Sequence, residues 1–365
     1  MQKKSITFNT KALATLALCA SAVPCAIAQT AVTPAVTIYG RLDIALEANN
    51  DGQLGRTALQ NFSSRLGFKG EREFSNGLTG LFQVETGFAP DDTAQSKSLA
   101  SRNSYVGLKS KSLGTLIAGT HDMPLKSLEG TANQLWGEGE AMEVIIHGKG
   151  SRSAVNGGGV VFNNVHTRQT NMVQYTAPKF YNITAKLAYS PDEVQTAAVN
   201  KALYGASAEY KDGTFNLGVA YQNQFNVSAN GGSMTAVKLT GGVKLGDIAV
   251  GAAYSNIDNN AGPVNGRKTD NYLVTGSYTL GAMVFKANYG QSSTSGALNK
   301  DDGLSMMAIE ADYALDKQVT LYTYYASINN NKDAKGTFAA ADNFPAVTKA
   351  GDKPSAFGVG IRYNF

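Results

Sequence analysis

Residues 61–88 (NFSSRLGFKGEREFSNGLTGLFQVETGF) read as two alternating runs joined at Ser75-Asn76-Gly77. In the first run Phe62, Leu66, Phe68 and Phe74 share one parity, and Ser63, Arg65, Lys69 and Glu71 share the other. In the second, Leu78, Phe82, Val84 and Phe88 alternate with Thr79, Gln83 and Glu85. Period two puts one set on each face of a strand, and Asn-Gly supplies the left-handed backbone of a hairpin turn. Each run exceeds the about 5–6 residues of an ordinary globular strand and suits the roughly 9–11 of a tilted membrane strand. An Arg or Lys facing lipid at mid-bilayer costs about 2–4 kcal/mol, whereas a lumen position costs little. Arg65 and Lys69 are therefore expected to face water inside a barrel, with the Phe/Leu face outward. A soluble sandwich would instead bury the apolar face in a core. One hairpin does not separate these readings; repetition does.

The pattern recurs from Pro34 to the last residue. Tight turns are expected at Asn76-Gly77, Leu113-Gly114, 180–182, Asp212-Gly213, 245–247, Leu280-Gly281 and 315–317. Longer polar segments lie near 49–58, 89–100, 122–167, 191–202, 225–233, 256–268, 291–302 and 328–353. Short turns on one rim and long loops on the other mark an outer-membrane barrel. Seven turns and eight loops require sixteen strands, an even number that closes an antiparallel barrel and leaves no edge facing lipid. The fold class is therefore all-β: a 16-stranded antiparallel transmembrane β-barrel.

Individual strands carry the same signal. Tyr181, Ile183, Ala185, Leu187 and Tyr189 alternate with Asn182, Thr184, Lys186 and Ala188. Tyr or Phe repeatedly ends the apolar stripe, as aromatic girdles at two membrane interfaces require. Before residue 120 the alternation is less regular, as a wall packed on another subunit would allow. In residues 356–365 (AFGVGIRYNF), Phe357, Val359, Ile361, Tyr363 and Phe365 occupy one face of a closing strand.

The first residues fix the compartment. Lys3, Lys4 and Lys11, an apolar run over 12–23 and Ala26-Ile27-Ala28 form a secretory leader, residues 1–28, with the barrel domain over 29–365. Both cysteines, Cys19 and Cys25, fall in that leader, so no disulfide or thiolate metal site is expected after cleavage. Loss of its three lysines lowers the net charge from +4 to about +1, which gives no support for nucleic-acid binding through bulk charge.

Together the segments 36–43 (VTIYGRLD), 64–71 (SRLGFKGE), 102–109 (RNSYVGLK), 168–176 (RQTNMVQYT) and the terminal 361–365 resemble the trimeric general porins of Gram-negative outer membranes, most closely the beta-proteobacterial branch. The resemblance covers essentially the whole chain beyond the leader. It implies a homotrimer set in outer-membrane lipid and lipopolysaccharide, inserted by the barrel assembly machinery that reads the terminal aromatic strand. It also implies passive transport of ions and small hydrophilic solutes, with no cofactor. A third loop, here 122–167, is expected to fold inward and narrow the pore. The wall cluster carried across is Arg41, Arg65, Arg102 and Arg168, with Lys69 below; the facing acidic candidates are Glu129, Glu138, Glu140 and Glu143. The family's Pro-Glu-Phe-Gly-Gly loop motif is absent, which leaves open which carboxylates line the constriction.

Other distinctive residues read as structural. Trp136 is taken as a loop anchor rather than a sugar-stacking platform. His121, His147 and His166 lack metal-ligand spacing, and the glutamates of 138–143 lack the ligand series of a calcium loop. His121-Asp122 has no accompanying nucleophile motif, so an enzyme is not expected. Gly157-Gly158-Gly159 precedes no helix and reads as loop flexibility rather than a phosphate cradle. A solute-specific channel and a structural or adhesive barrel remain alternatives at this stage.

Overall fold

The computed structural model describes residues 36–365 apart from 93, 95–96, 149–151, 155–159, 163, 227–231, 261–266, 297–299 and 342–343. The expected leader and the Gly157-Gly158-Gly159 run lie outside the described residues. The described residues form sixteen barrel strands. These are β1 (Val36–Asn50), β2 in two pieces (Gly55–Asn61 and Arg65–Glu73), β3 (Thr79–Gly87), β4 (Ser104–Ser110) and β5 (Gly114–Asp122). They continue with β6 (Arg168–Thr176), β7 (Ile183–Ser190), β8 (Leu203–Lys211), β9 (Phe215–Gln224), β10 (Met234–Leu245) and β11 (Ile248–Asn259). The last are β12 (Arg267–Leu280), β13 (Met283–Ser292), β14 (Leu304–Ala314), β15 (Val319–Asn330) and β16 (Ser355–Asn364).

Every strand pairs antiparallel with its sequence neighbour, and β1 closes the ring on β16 through the register Arg41↔Asn364 to Asn50↔Ser355. Gly40 and Phe365 exchange backbone hydrogen bonds of 2.9 and 3.1 Å at the seam. Closure matters because an unpaired N–H or C=O in hydrocarbon costs several kcal/mol. All seven expected turns fall at strand junctions, with Gly114, Leu245 and Leu280 the end residues of the strands they join. Two expected loops are shorter than the sequence suggested: β1 runs to Asn50 with β2 starting at Gly55, and β11 runs to Asn259. Asn49, Asn256 and Asp258 look like loop residues, yet the strands carry them past the lipid band with their backbones still paired.

The alternation fails at one informative point. β1 pairs with the first piece of β2 along its outer half and with the second piece along its inner half. Between them Ser63 adopts φ 59°. The break is satisfied locally: Phe62 N donates to Asp43 O (2.9 Å), Asp43 N to Ser64 Oγ (2.9 Å) and Ser64 N to Asn61 Oδ1 (3.2 Å). One irregular residue shifts parity. Phe62, expected to share the outward face with Leu66, is instead buried and meets Tyr324 edge-on at 6.0 Å.

Outside, the apolar residues form a band. Tyr278 and Tyr272 on β12 both face outward and are exposed. They are six positions apart, about 20 Å along a strand at ~3.3–3.4 Å per residue. Phe357 and Tyr363 on β16 repeat that spacing. Val219 lies on the same outward face, beside Ala208 and Leu239. Val219→Arg is expected to cost about 2–4 kcal/mol and to lower the urea midpoint of the lipid-embedded protein. The inward Thr184→Arg, opposite Glu209, should leave that midpoint nearly unchanged.

Candidate functional site: a charged constriction

The ends of the third loop (L3, 123–167) are fixed by the strands that carry them. Asp122 closes β5, Arg168 opens β6, and the two are cross-strand partners. Arg168 Nε lies 3.1 Å from Asp122 Oδ1, Lys126 Nζ lies 2.7 Å from the same oxygen, and Asn103 Nδ2 donates to Oδ2 at 3.0 Å. Burial pushes the Lys126 ammonium below the ordinary lysine value, with Asp122 pulling it back up.

From there L3 passes through a short helix (Pro124–Ser127), tight turns at Gly130–Ala132 and Gly137–Gly139, and a wider helical turn, Met142–Ile146. The helix touches the inner wall at β7–β9, the first turn at β9–β12 and the second at β14–β15, and the wider turn comes back to β11–β13. Leu125, Leu135, Met142, Ile145 and Ile146 are almost fully buried against it. Burying such a side chain contributes about 1.5–3 kcal/mol each, so the loop's apolar underside, more than any one polar contact, holds it in place. The wall makes room with small residues: a Cβ at Gly218 would meet Leu128, and one at Gly242 or Gly251 would meet Thr131. Ala220, Ala236 and Ala308 continue that surface. Polar ties complete it, as Trp136 N donates to Glu310 Oε2 (2.8 Å) and Asn216 Nδ2 to Thr131 Oγ1.

L3 thus covers the far wall and leaves open space against β1–β6. There it bounds a cavity of ≈ 280 Å³, whose lining includes Arg41, Arg65, Arg102 and Arg168 on the wall side and Glu129, Glu140 and Glu143 on the loop side. Arg41 and Arg65 are direct cross-strand partners, a like-charge pairing that destabilises a sheet unless countercharge or water intervenes. Glu85 supplies countercharge: Arg102 Nε donates to Oε1 at 2.5 Å, Arg65 Nε is 4.0 Å from Oε2, and Tyr39 Oη donates to Oε2 at 3.0 Å. Arg41 Nε donates to Asn364 Oδ1 (2.9 Å), and its guanidinium lies 4.6 Å from the Trp136 ring. Arg362 lies 5.2 Å from that ring. On the loop, Asn133 Nδ2 donates to both Glu129 Oε2 (3.0 Å) and Glu140 Oε1 (3.1 Å), and His166 Nε2 lies 2.8 Å from Glu143 Oε1.

Two sequence candidates lie elsewhere. Glu138 is 1% exposed, and its carboxylate accepts backbone N–H groups of Ala340 and Ala341. Lys69 shares Arg65's parity nearer the turn, with its ammonium 5.0 Å from the Tyr39 ring, off the cavity. Arg102 reaches the cavity from just before β4, where alternation has not begun. Sequence reasoning did not assign Asp122, Lys126, Glu85, Phe62 or Ala340 to the constriction. Asp122 stands at the start of the long loop, and Glu85 on the polar face of the first hairpin, so both were recoverable from position; Ala340 carried no signal.

A closed barrel narrowed by an inward loop and lined by opposed charges defines a water-filled membrane channel. The model of the Gram-negative porin family matches residues 12–333, and the chain belongs to that family of outer-membrane channels. Among curated relatives, the major outer membrane protein P.IB of Neisseria lactamica is 23% identical over 335 residues, covering 84% of this chain and 91% of that one. Outer membrane porin protein 32 of Delftia acidovorans is 26% identical over 352 residues, covering 90% and 94%. The fold matches an anion-selective porin from Comamonas acidovorans with TM-score 0.78 at 20% identity, over 91% of this chain and 100% of that one. It also matches OmpT of Vibrio cholerae in its trimer form, with TM-score 0.66 at 16% identity, over 91% and 99%. The protein is an outer-membrane porin, and the resemblance to the beta-proteobacterial branch holds.

Gly251→Val places methyl groups where Thr131 lies. It is expected to lift L3 from the wall, lowering the thermal midpoint and giving channels of irregular conductance. The same substitution at Gly276, whose Cβ would meet no L3 atom within 4 Å, should do neither.

Proposed function

We propose that the protein is a general diffusion channel for ions and small hydrophilic solutes, and that Arg41, Arg65, Arg102 and Arg168 on one side and Glu129, Glu140 and Glu143 on the other set its permeability. The observation that carries this reading is the opposed lining of one cavity: five cationic side chains, with Lys126, against four anionic ones, with Asp122. Near balance gives weak sign selectivity, with a slight preference for anions. Separation of the signs gives a transverse field that orients polar solutes and holds water, which disfavours apolar ones. Fixed partners hold these groups in place, and passage is passive, with no cofactor and no chemistry on what passes.

Assembly is proposed as a homotrimer, the form in which the Vibrio cholerae neighbour is described. Exposed Leu66, Val106, Leu108 and Leu116 on the β2–β5 wall offer an apolar surface for it. Residues 1–28 are proposed as the export leader, and the terminal strand ending in Phe365 as the segment read by the assembly machinery. Lipid and lipopolysaccharide would surround the outer band.

Reversal potential across a planar bilayer under a salt gradient tests the charge assignment. The unsubstituted channel is expected to show a small anion preference. The pair Glu129→Gln with Glu140→Gln should enlarge it, and Arg41→Gln with Arg65→Gln should reverse it. Potentials unmoved by both pairs would contradict the assignment.

A further inference from the structure

The constriction has a wall that neither the arginine cluster nor L3 supplies. The last external loop (L8, 331–354) links β15 to β16. Asn330 ties the two ends of its base together: Asn330 Nδ2 donates to Gly336 O (2.9 Å) and Asp352 O (2.7 Å), while Gly336 N donates to Asn330 Oδ1 (2.8 Å). From that base the loop turns toward the pore axis. Phe338 is 3% exposed and joins the apolar cluster that contains Leu135, Met142 and Ile145 of L3. Phe344 packs on Phe338 edge-on at 4.8 Å. Between these two residues in sequence, Ala340 reaches the lining of the charged cavity, which also includes Phe62, Trp136 and Gly137.

Glu138 explains how this loop is held. A buried carboxylate is costly unless hydrogen bonds replace its lost water. The Glu138 carboxylate accepts the N–H of Ala341 at 3.2 Å and of Ala340 at 3.4 Å. The acidic residue that sequence assigned to the lining therefore faces the other loop and ties it down.

We propose that L8 forms a working wall of the constriction, that Ala340 is its pore-facing residue, and that Glu138 is the positioning residue that latches L8 onto L3. This rests on the diffusion-channel reading. L3 sets the width from the side, and L8 sets it from the outer mouth. The solutes that feel L8 are those large enough to fill the passage, since a methyl group projects where a bulkier group would obstruct.

Single-channel recording with a negatively charged methanethiosulfonate tests it. The only cysteines, Cys19 and Cys25, lie in the leader, so an introduced thiol is unique once the leader is removed. Ala340→Cys is expected to lose current stepwise on reagent addition, measured against its own current before the reagent. Ala334→Cys, in the same loop but fully buried, should not respond, and neither should the unsubstituted channel. Glu138→Ala is expected to give larger, noisier steps, with faster passage of the largest permeant solutes. Conductance of Ala340→Cys unmoved by the reagent would overturn the wall, whatever Glu138→Ala does. A responsive Ala340→Cys with Glu138→Ala indistinguishable from the parent would overturn the latch. Absence of steps from the unsubstituted protein would overturn the channel reading itself, and this proposal with it.

Discussion

A backbone crossing lipid must satisfy its N–H and C=O groups within itself, and the rest of this molecule follows from how that is done. Sixteen strands close through β1 and β16, so no edge meets hydrocarbon. Closure at that number has a second effect. A barrel of sixteen strands encloses a lumen that its wall side chains do not fill, so selectivity must come from chain folded back inside. L3 is that chain, and its apolar underside requires a complementary inner wall. The glycines and alanines of β9–β11 supply one on faces that would otherwise be polar. The lumen is thereby divided into a packed half and a wet half.

In the wet half, charge is arranged rather than merely accumulated. Two unit charges 4 Å apart interact by about 1 kcal/mol in bulk water and by several times that near a protein surface. Clustered arginines therefore need fixed partners or water. Glu85 serves Arg65 and Arg102, Asp122 serves Arg168 and Lys126, and Asn133 gathers two loop glutamates. Because these partners sit on strands or on a loop packed against strands, the field is built in before a solute arrives. Trp136 has its ring beside Arg41 and Arg362 at the cavity and its backbone N–H on Glu310.

Much of this was legible because the two rims and two faces follow local rules. Asn76-Gly77 must turn, and Arg65 does not face lipid. The long 122–167 segment was visible as an interruption of the strand period. What escaped had no local signature. Ser63 gives no sequence warning that it will take a left-handed backbone, so Phe62 was placed outside. Polar residues of strands extending beyond the membrane, such as Asn49 and Asp258, resemble loop residues until their pairing is seen. Glu138 and Glu140 are two residues apart with the same chemistry, yet one meets the backbone of L8 and the other faces the cavity. Only the packing of a distant loop separates them. A signal for the L3 track did exist, in the glycines and alanines on the inward parity of β9–β11, where lumen-facing polar residues would be expected.

The lumen stays open past L3 as a passage of limited width. Swelling of liposomes carrying the protein, in a series of uncharged sugars of increasing size, tests it most directly. Fast swelling in the smallest sugars, falling steeply and then vanishing with size, is the result expected of a constriction shaped by L3. Equal swelling across the series, or none with correctly folded protein, would contradict it.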